Sequence, residues 1–173
     1  MQLDTQVVEI MGRQRLIAEL LRDGLEVALP VRDRGVDLIA YADLSHQVAQ
    51  FAARPIQMKA STTSGFGVFT KYERVADLIL AYVWQLGDPA SAVTYAMTYP
   101  QAKGIADMQG WTTTAAWGTG GYSTSKPSQQ LLGLLETYRM GPGRWWQLVT
   151  GTATRAEPVA AADPPSKPGG LLS

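Results

Sequence analysis

The first sixty residues place one long helical pattern directly before three short extended segments, and that order restricts the fold more than any other feature of the chain. Val7, Ile10, Leu16, Ile17, Leu20 and Leu21 recur at helical spacing, predicting a helix over Thr5–Arg22. Asp4 or Thr5 can cap its start and Gly24 its end. Strands are then expected at Leu25–Leu29, Val36–Tyr41 and Ile56–Ala60, with Arg32–Gly35 as a turn. Strands that follow one another without intervening helices argue against a doubly wound alternation. They predict an α/β fold with a mixed central sheet flanked by helices.

Further along, TTSGFGVFT suggests a turn and a short strand, and the apolar runs ADLILAYVWQL and SAVTYAMTY read as buried strands. Trp84, inside the first run, is expected in the core. PQAKGIADMQ reads as a helix with Pro100 in its first turn. TTTAAW is expected as a short strand, SQQLLGLLETYR as an amphipathic helix, and PGRWWQLV as a short closing helix or packed segment. Trp145 and Trp146 are adjacent, which predicts one ring buried and the other exposed. Gly118–Tyr122 (GTGGY) follows no strand-to-helix pattern and is expected to be a loop rather than a phosphate cradle. The domain is expected over residues 1–150, followed by a flexible Pro/Ala/Gly-rich tail at 151–173.

Fifteen basic residues balance fifteen acidic ones, which argues against broad non-specific duplex binding but leaves room for a local basic patch. There is no cysteine, so disulfides, thiolate metal sites and cysteine nucleophiles are excluded. The single histidine, His46, rules out a multi-histidine zinc site and is expected to be solvated in a polar bend. No signal-peptide pattern and no apolar run of about 18 residues is present, so the expected compartment is the cytoplasm, with no membrane partner.

The candidate chemistry lies on the second and third strands. Asp37 stands near the start of one, and Gln57 and Lys59 alternate on the other, sharing a face opposite Met58. A carboxylate, an amide oxygen and an ammonium together suit metal-assisted hydrolysis, with Mg²⁺ or Mn²⁺ on the oxygens and lysine beside the phosphate. Around these residues, MGRQRLIAELLRDGLEVALPVRDRGVDLIAYADL…RPIQMKAS resembles the PD-(D/E)XK nuclease superfamily, nearest to small bacterial members and archaeal Holliday-junction resolvase-like proteins. The likeness covers about residues 8–62. It implies a restriction-endonuclease-like core, a DNA substrate, and Asp37, Gln57 and Lys59 as site residues.

The family's helix glutamate aligns with Arg13, which cannot ligate a metal. Glu9, one turn earlier on the stripe Glu9–Arg13–Leu16–Leu20, is the expected substitute ligand, while Glu19 is expected to point sideways into solvent. Arg13, Lys71 and Arg74 are candidate contacts to nucleic acid. Three functional classes remain open: a Mg²⁺-dependent DNA endonuclease weakened by Arg13, a non-catalytic module binding nucleic acid or protein on the same fold, and an interaction factor with an unrelated α/β fold. A homodimer is compatible with the first two.

Overall fold

A computed structural model describes residues 4–32, 34–42 and 51–152. Helix α1 (Thr5–Arg22) begins where Asp4 accepts a hydrogen bond from Gln6 N, so of the two caps open in the sequence, Asp4 and Thr5, Asp4 is the one used. Strands β1 (Leu25–Ala28), β2 (Leu38–Ala42) and β3 (Ala53–Ala60) follow. β4 (Phe66–Phe69) leads into a 3₁₀ turn at Thr70–Tyr72, then come β5 (Ile79–Trp84), β6 (Val93–Thr98) and α2 (Tyr99–Met108). The chain continues through α3 (Ala115–Gly118), β7 (Gly121–Thr124), α4 (Gln129–Glu136) and α5 (Arg144–Thr150).

The main sheet has the order β1-β2-β3-β5-β6. β3 and β5 run parallel, and the other three pairings are antiparallel. The expected α/β architecture with a mixed central sheet is therefore present. The crossover between the parallel strands carries β4 and the 3₁₀ turn where a helix is the usual solution. β4 pairs with β7 in a separate two-stranded ribbon.

Alternation along β5 divides the interior into two cores. Ile79, Ala81 and Val83 pack with Leu16 and Leu20 of α1 and with Trp145, Trp146 and Val149 of α5. Leu80, Tyr82 and Trp84 pack on the other face with β4, α2 and α4. Burial of this apolar surface on both faces, at roughly 25 cal/mol per Å², is what holds the layers together. The ribbon is also pinned by hydrogen bonds, Tyr82 Oη donating to Gly67 O (2.7 Å) and Trp84 Nε1 to Gly65 O (2.9 Å). Burial pushes the Tyr82 phenol far above its ordinary pKa, so it stays a donor.

Helix α1 lies close against β3 at Gly12. A Cβ there would lie 2.6 Å from Ala60 Cβ and 3.3 Å from Met58 Sδ. The apolar positions of α1 form two stripes: Val8, Leu16 and Leu20 are buried, whereas Val7, Ile10 and Leu21 are exposed.

Several expectations need correction. TTTAAW is not a strand; it forms a 3₁₀ turn (Trp111–Thr113) and α3, because Thr114 caps α3 by accepting from Trp117 N. Gly118–Tyr122 is not wholly loop, since Gly121 and Tyr122 enter β7. Gly121 takes φ +131°, and a Cβ there would lie within 2.3 Å of Val68 O, so only glycine fits beside β4. Trp145 and Trp146 are both buried, 1% and 3% exposed, because α5 packs against both α1 and strands β2 and β3. Glu19 is not solvated. It accepts from Thr94 Oγ1 (2.9 Å) and Trp145 Nε1 (3.2 Å) and pairs with Arg15 (2.9 Å). His46 and the tail at 153–173 lie outside the described residues.

Candidate active site

The pairing of β2 with β3 stops at Leu38↔Ile56, and Asp37 N donates to Ile56 O just outside it. Beyond that point residues 57–60 keep β5 as a neighbour but have no β2 beside them. The result is a notch of about 260 Å³ lined by Thr5, Glu9, Asp37, Gln57, Met58, Lys59 and Ala60. Strand register puts Gln57 beside Leu80 and Lys59 beside Tyr82, so both side chains share the face of the second core. Glu9 arrives from the opposite side, on α1, because Gly12 lets that helix lie against Met58 and Ala60.

Asp37 Oδ2 accepts from Met58 N (2.6 Å) and from Gln57 Nε2 (2.6 Å), and Gln57 Nε2 also donates to Met58 O (3.1 Å). The Gln57 side chain is thus held between a carboxylate and a carbonyl at 8% exposure. Lys59 takes a different direction. Its ammonium lies 5.5 Å from the Phe69 ring centroid and 5.7 Å from that of Tyr72, a cation–π seat provided by the anchored ribbon and its 3₁₀ turn.

The sequence-derived residues Asp37, Gln57, Lys59 and Glu9 therefore meet at one cleft. Glu9 is engaged with Arg13 at 2.7 Å, so the expected substitute carboxylate is held in an ion pair on its own helix. Arg13 does not line the cleft. Among the described residues no group of three or more His, Cys, Asp or Glu side chains is placed to hold a metal. The donor set that is present, two carboxylates, an amide and the Met58 carbonyl, consists of hard oxygens. It fits Mg²⁺ as an ion carried by one or two carboxylates and completed by substrate phosphate, and does not fit a closed protein cage.

Lys71 and Arg74 lie in an adjoining pocket of about 260 Å³, with Arg34, Gly35, Tyr72 and Val75. Arg34 was not singled out in the sequence; its only signal there was membership of the basic turn Arg32–Gly35. Gly35 stands between the two sites. Its φ is +88°, and a Cβ there would lie 3.5 Å from the Tyr72 ring and 3.8 Å from Gln57 Oε1. No protein-family model, curated protein or solved structure matches the chain. No helix among the described residues is long and apolar enough to cross a membrane.

Proposed function

We propose that the chain is a PD-(D/E)XK nuclease-like domain on a restriction-endonuclease-like core, hydrolysing DNA phosphodiesters at the Asp37–Lys59 cleft with Mg²⁺ or Mn²⁺. The observation that supports this most is the Gln57 amide between Asp37 Oδ2 and Met58 O. Amide nitrogen and oxygen have nearly the same shape, and a half-turn of the group exchanges them. With a cation in the cleft, Gln57 would turn Oε1 inward, joining Asp37 and Met58 O in a cluster of three oxygens. In the free protein the NH₂ group supplies the positive end of a dipole at that place.

A divalent ion held there would supply Lewis acidity toward a phosphate oxygen and the attacking water. Asp37 holds the ion's side of the cleft and fixes the β3 backbone through Met58 N. Lys59 is positioned to swing from the Phe69 and Tyr72 rings toward a phosphate oxygen, offsetting charge that grows in the transition state. The absence of cysteine suits the cytoplasm in which we place this activity.

A second reading, a binding module without catalysis, is favoured by one observation. The Glu9–Arg13 ion pair occupies one of the two carboxylates that line the cleft. The two readings separate in a cleavage assay on single-stranded, duplex and branched DNA, with Mn²⁺ and with chelator. Cutting that needs metal and disappears in Asp37→Ala, with the circular dichroism spectrum kept, supports the nuclease. Metal-independent DNA binding without cutting supports the module, and cutting that persists in Asp37→Ala removes the proposed mechanism.

A further inference from the structure

We propose that the pocket of Arg34, Lys71 and Arg74 beside Tyr72 binds a terminal phosphate monoester of a nucleic-acid strand whose nearby phosphodiester lies at the Asp37–Lys59 cleft. The proposal deepens the nuclease-like reading and rests on it. Its physical basis is a mismatch of charge inside one concavity. Three cations line a pocket of about 260 Å³ that contains no carboxylate among its described lining residues. Of the two acids adjacent to these cations in sequence, Glu73 is taken away by Lys103 at 2.8 Å, a contact that raises the Lys103 pKa, and Asp33 lies outside the described residues. None of the three cations forms an ion pair with a described residue. In a chain with zero formal net charge, such a local excess of one sign marks an anion site.

The shape selects among anions. An internal phosphodiester carries one charge and two free oxygens, and it is read along open grooves. A terminal monoester carries up to two charges and three oxygens, and it is matched by several cations converging from different sides. Here two arginines and a lysine line one pocket from three places in the chain: Arg34 from the β1–β2 connection, Lys71 from the 3₁₀ turn and Arg74 from just after it.

The distance to the cleft is short. Lys71 Nζ lies 5.0 Å from the Tyr72 ring centroid and Lys59 Nζ 5.7 Å from the same centroid. The two ammonium groups are therefore no farther apart than those lengths laid end to end. At roughly 3.4 Å of axis per phosphate on one strand, that span is at most about three nucleotide steps. A strand end seated on Arg34, Lys71 and Arg74 would deliver an adjacent or next-but-one phosphodiester to Asp37.

The test is fluorescence anisotropy in EDTA, so no cleavage enters the reading. One pair of single-stranded DNA probes carries a 3′ fluorophore and either a 5′-phosphate or a 5′-hydroxyl, and a second pair is labelled at 5′ and varied at 3′. One of the two phosphorylated probes should bind about tenfold tighter than its hydroxyl partner. Arg34→Ala combined with Arg74→Ala should erase that difference at unchanged melting temperature, and inorganic phosphate should compete with the phosphorylated probe. Equal affinity within both pairs overturns the proposal. So does an equal gain from a hydroxyl-ended strand one nucleotide longer, which shows bulk charge rather than an end. If end preference is absent while Asp37-dependent cutting persists, the pocket assignment fails and the nuclease reading stands. If end preference is present while cutting ignores Asp37→Ala, the nuclease reading fails and the strand-end site stands.

Discussion

Two concavities of similar size, both rich in charge, behave in opposite ways. One, of about 310 Å³, lies between α1 and α5 and is lined by Arg15, Glu19, Asp23 and Trp145 among others. Three of its charged groups, Arg15, Glu19 and Asp23, are consumed internally. Arg15 donates to Ala92 O (3.0 Å) and pairs with Glu19, and Asp23 accepts from Gly143 N and Trp145 N at 2.9 Å each. The other is the Arg34–Lys71–Arg74 pocket of about 260 Å³ beside the Asp37–Lys59 cleft, and its three cations have no acid among its described lining residues. Volume and charge count do not separate the two. Satisfaction of hydrogen-bonding capacity does: the closed network holds elements together, and the open one retains interaction energy for a ligand.

The sharpest way to break this comparison is to remove the central groups of the open side. Asp37→Ala and Lys59→Ala are each expected to lower the metal-dependent cleavage rate by about 100-fold or more, as read by single-turnover assay. The closed side should answer in stability instead. Glu19→Ala strands the Trp145 indole N–H and removes the carboxylate partner of Arg15, and should cost about 2–3 kcal/mol by urea unfolding. Lys71→Ala, under the same titration, should stay within about 0.5 kcal/mol of wild type. An Arg34→Ala or Lys71→Ala variant that unfolds like Glu19→Ala would show that the open pocket is structural after all.

High pH supplies a third contrast, because the closed interior titrates late. Burial, and then the hydrogen bond to Glu136, push the Tyr95 phenol up to about 12, and burial also raises Tyr99. The unfolded chain ionises these groups near 10 and so binds fewer protons than the folded chain above that point. Their contribution is whole below pH 10 and is lost as pH rises through 12. Melting temperature should fall over that window, with a flatter profile in Tyr95→Phe. The smallest effect belongs to Glu9→Ala, which removes an exposed ion pair with Arg13 and should change stability by less than about 0.5 kcal/mol in chemical unfolding.

The elements built on local signals were legible in the chain. The span and cap of α1 follow from spacing and Asp4, and Asp37, Gln57 and Lys59 meet because neighbouring strands of matching alternation bring them together. What escaped depended on distant partners. Glu19 looked solvated on a helical wheel because nothing near it in sequence announces Thr94 or Trp145. The two tryptophans looked divided because their neighbours do not show that α5 has protein on two sides. TTTAAW carries strand-forming threonines, but Thr114 spends its hydroxyl on a helix cap. Arg34 was hidden in a turn, a place where a basic residue is usually only solvated, until Tyr72 and Arg74 closed on it from elsewhere.

The bare backbone at Gly12 has a consequence for the mouth of the cleft. One absent methyl group lets helix and strand touch, and Glu9 sits less than one turn up that helix. Alanine at this position would pry the amino-terminal half of α1 outward, widening the opening while leaving Asp37, Gln57 and Lys59 untouched. The aperture of the cleft is thus set at a residue that does not line it, outside any motif a reader of the strands would inspect.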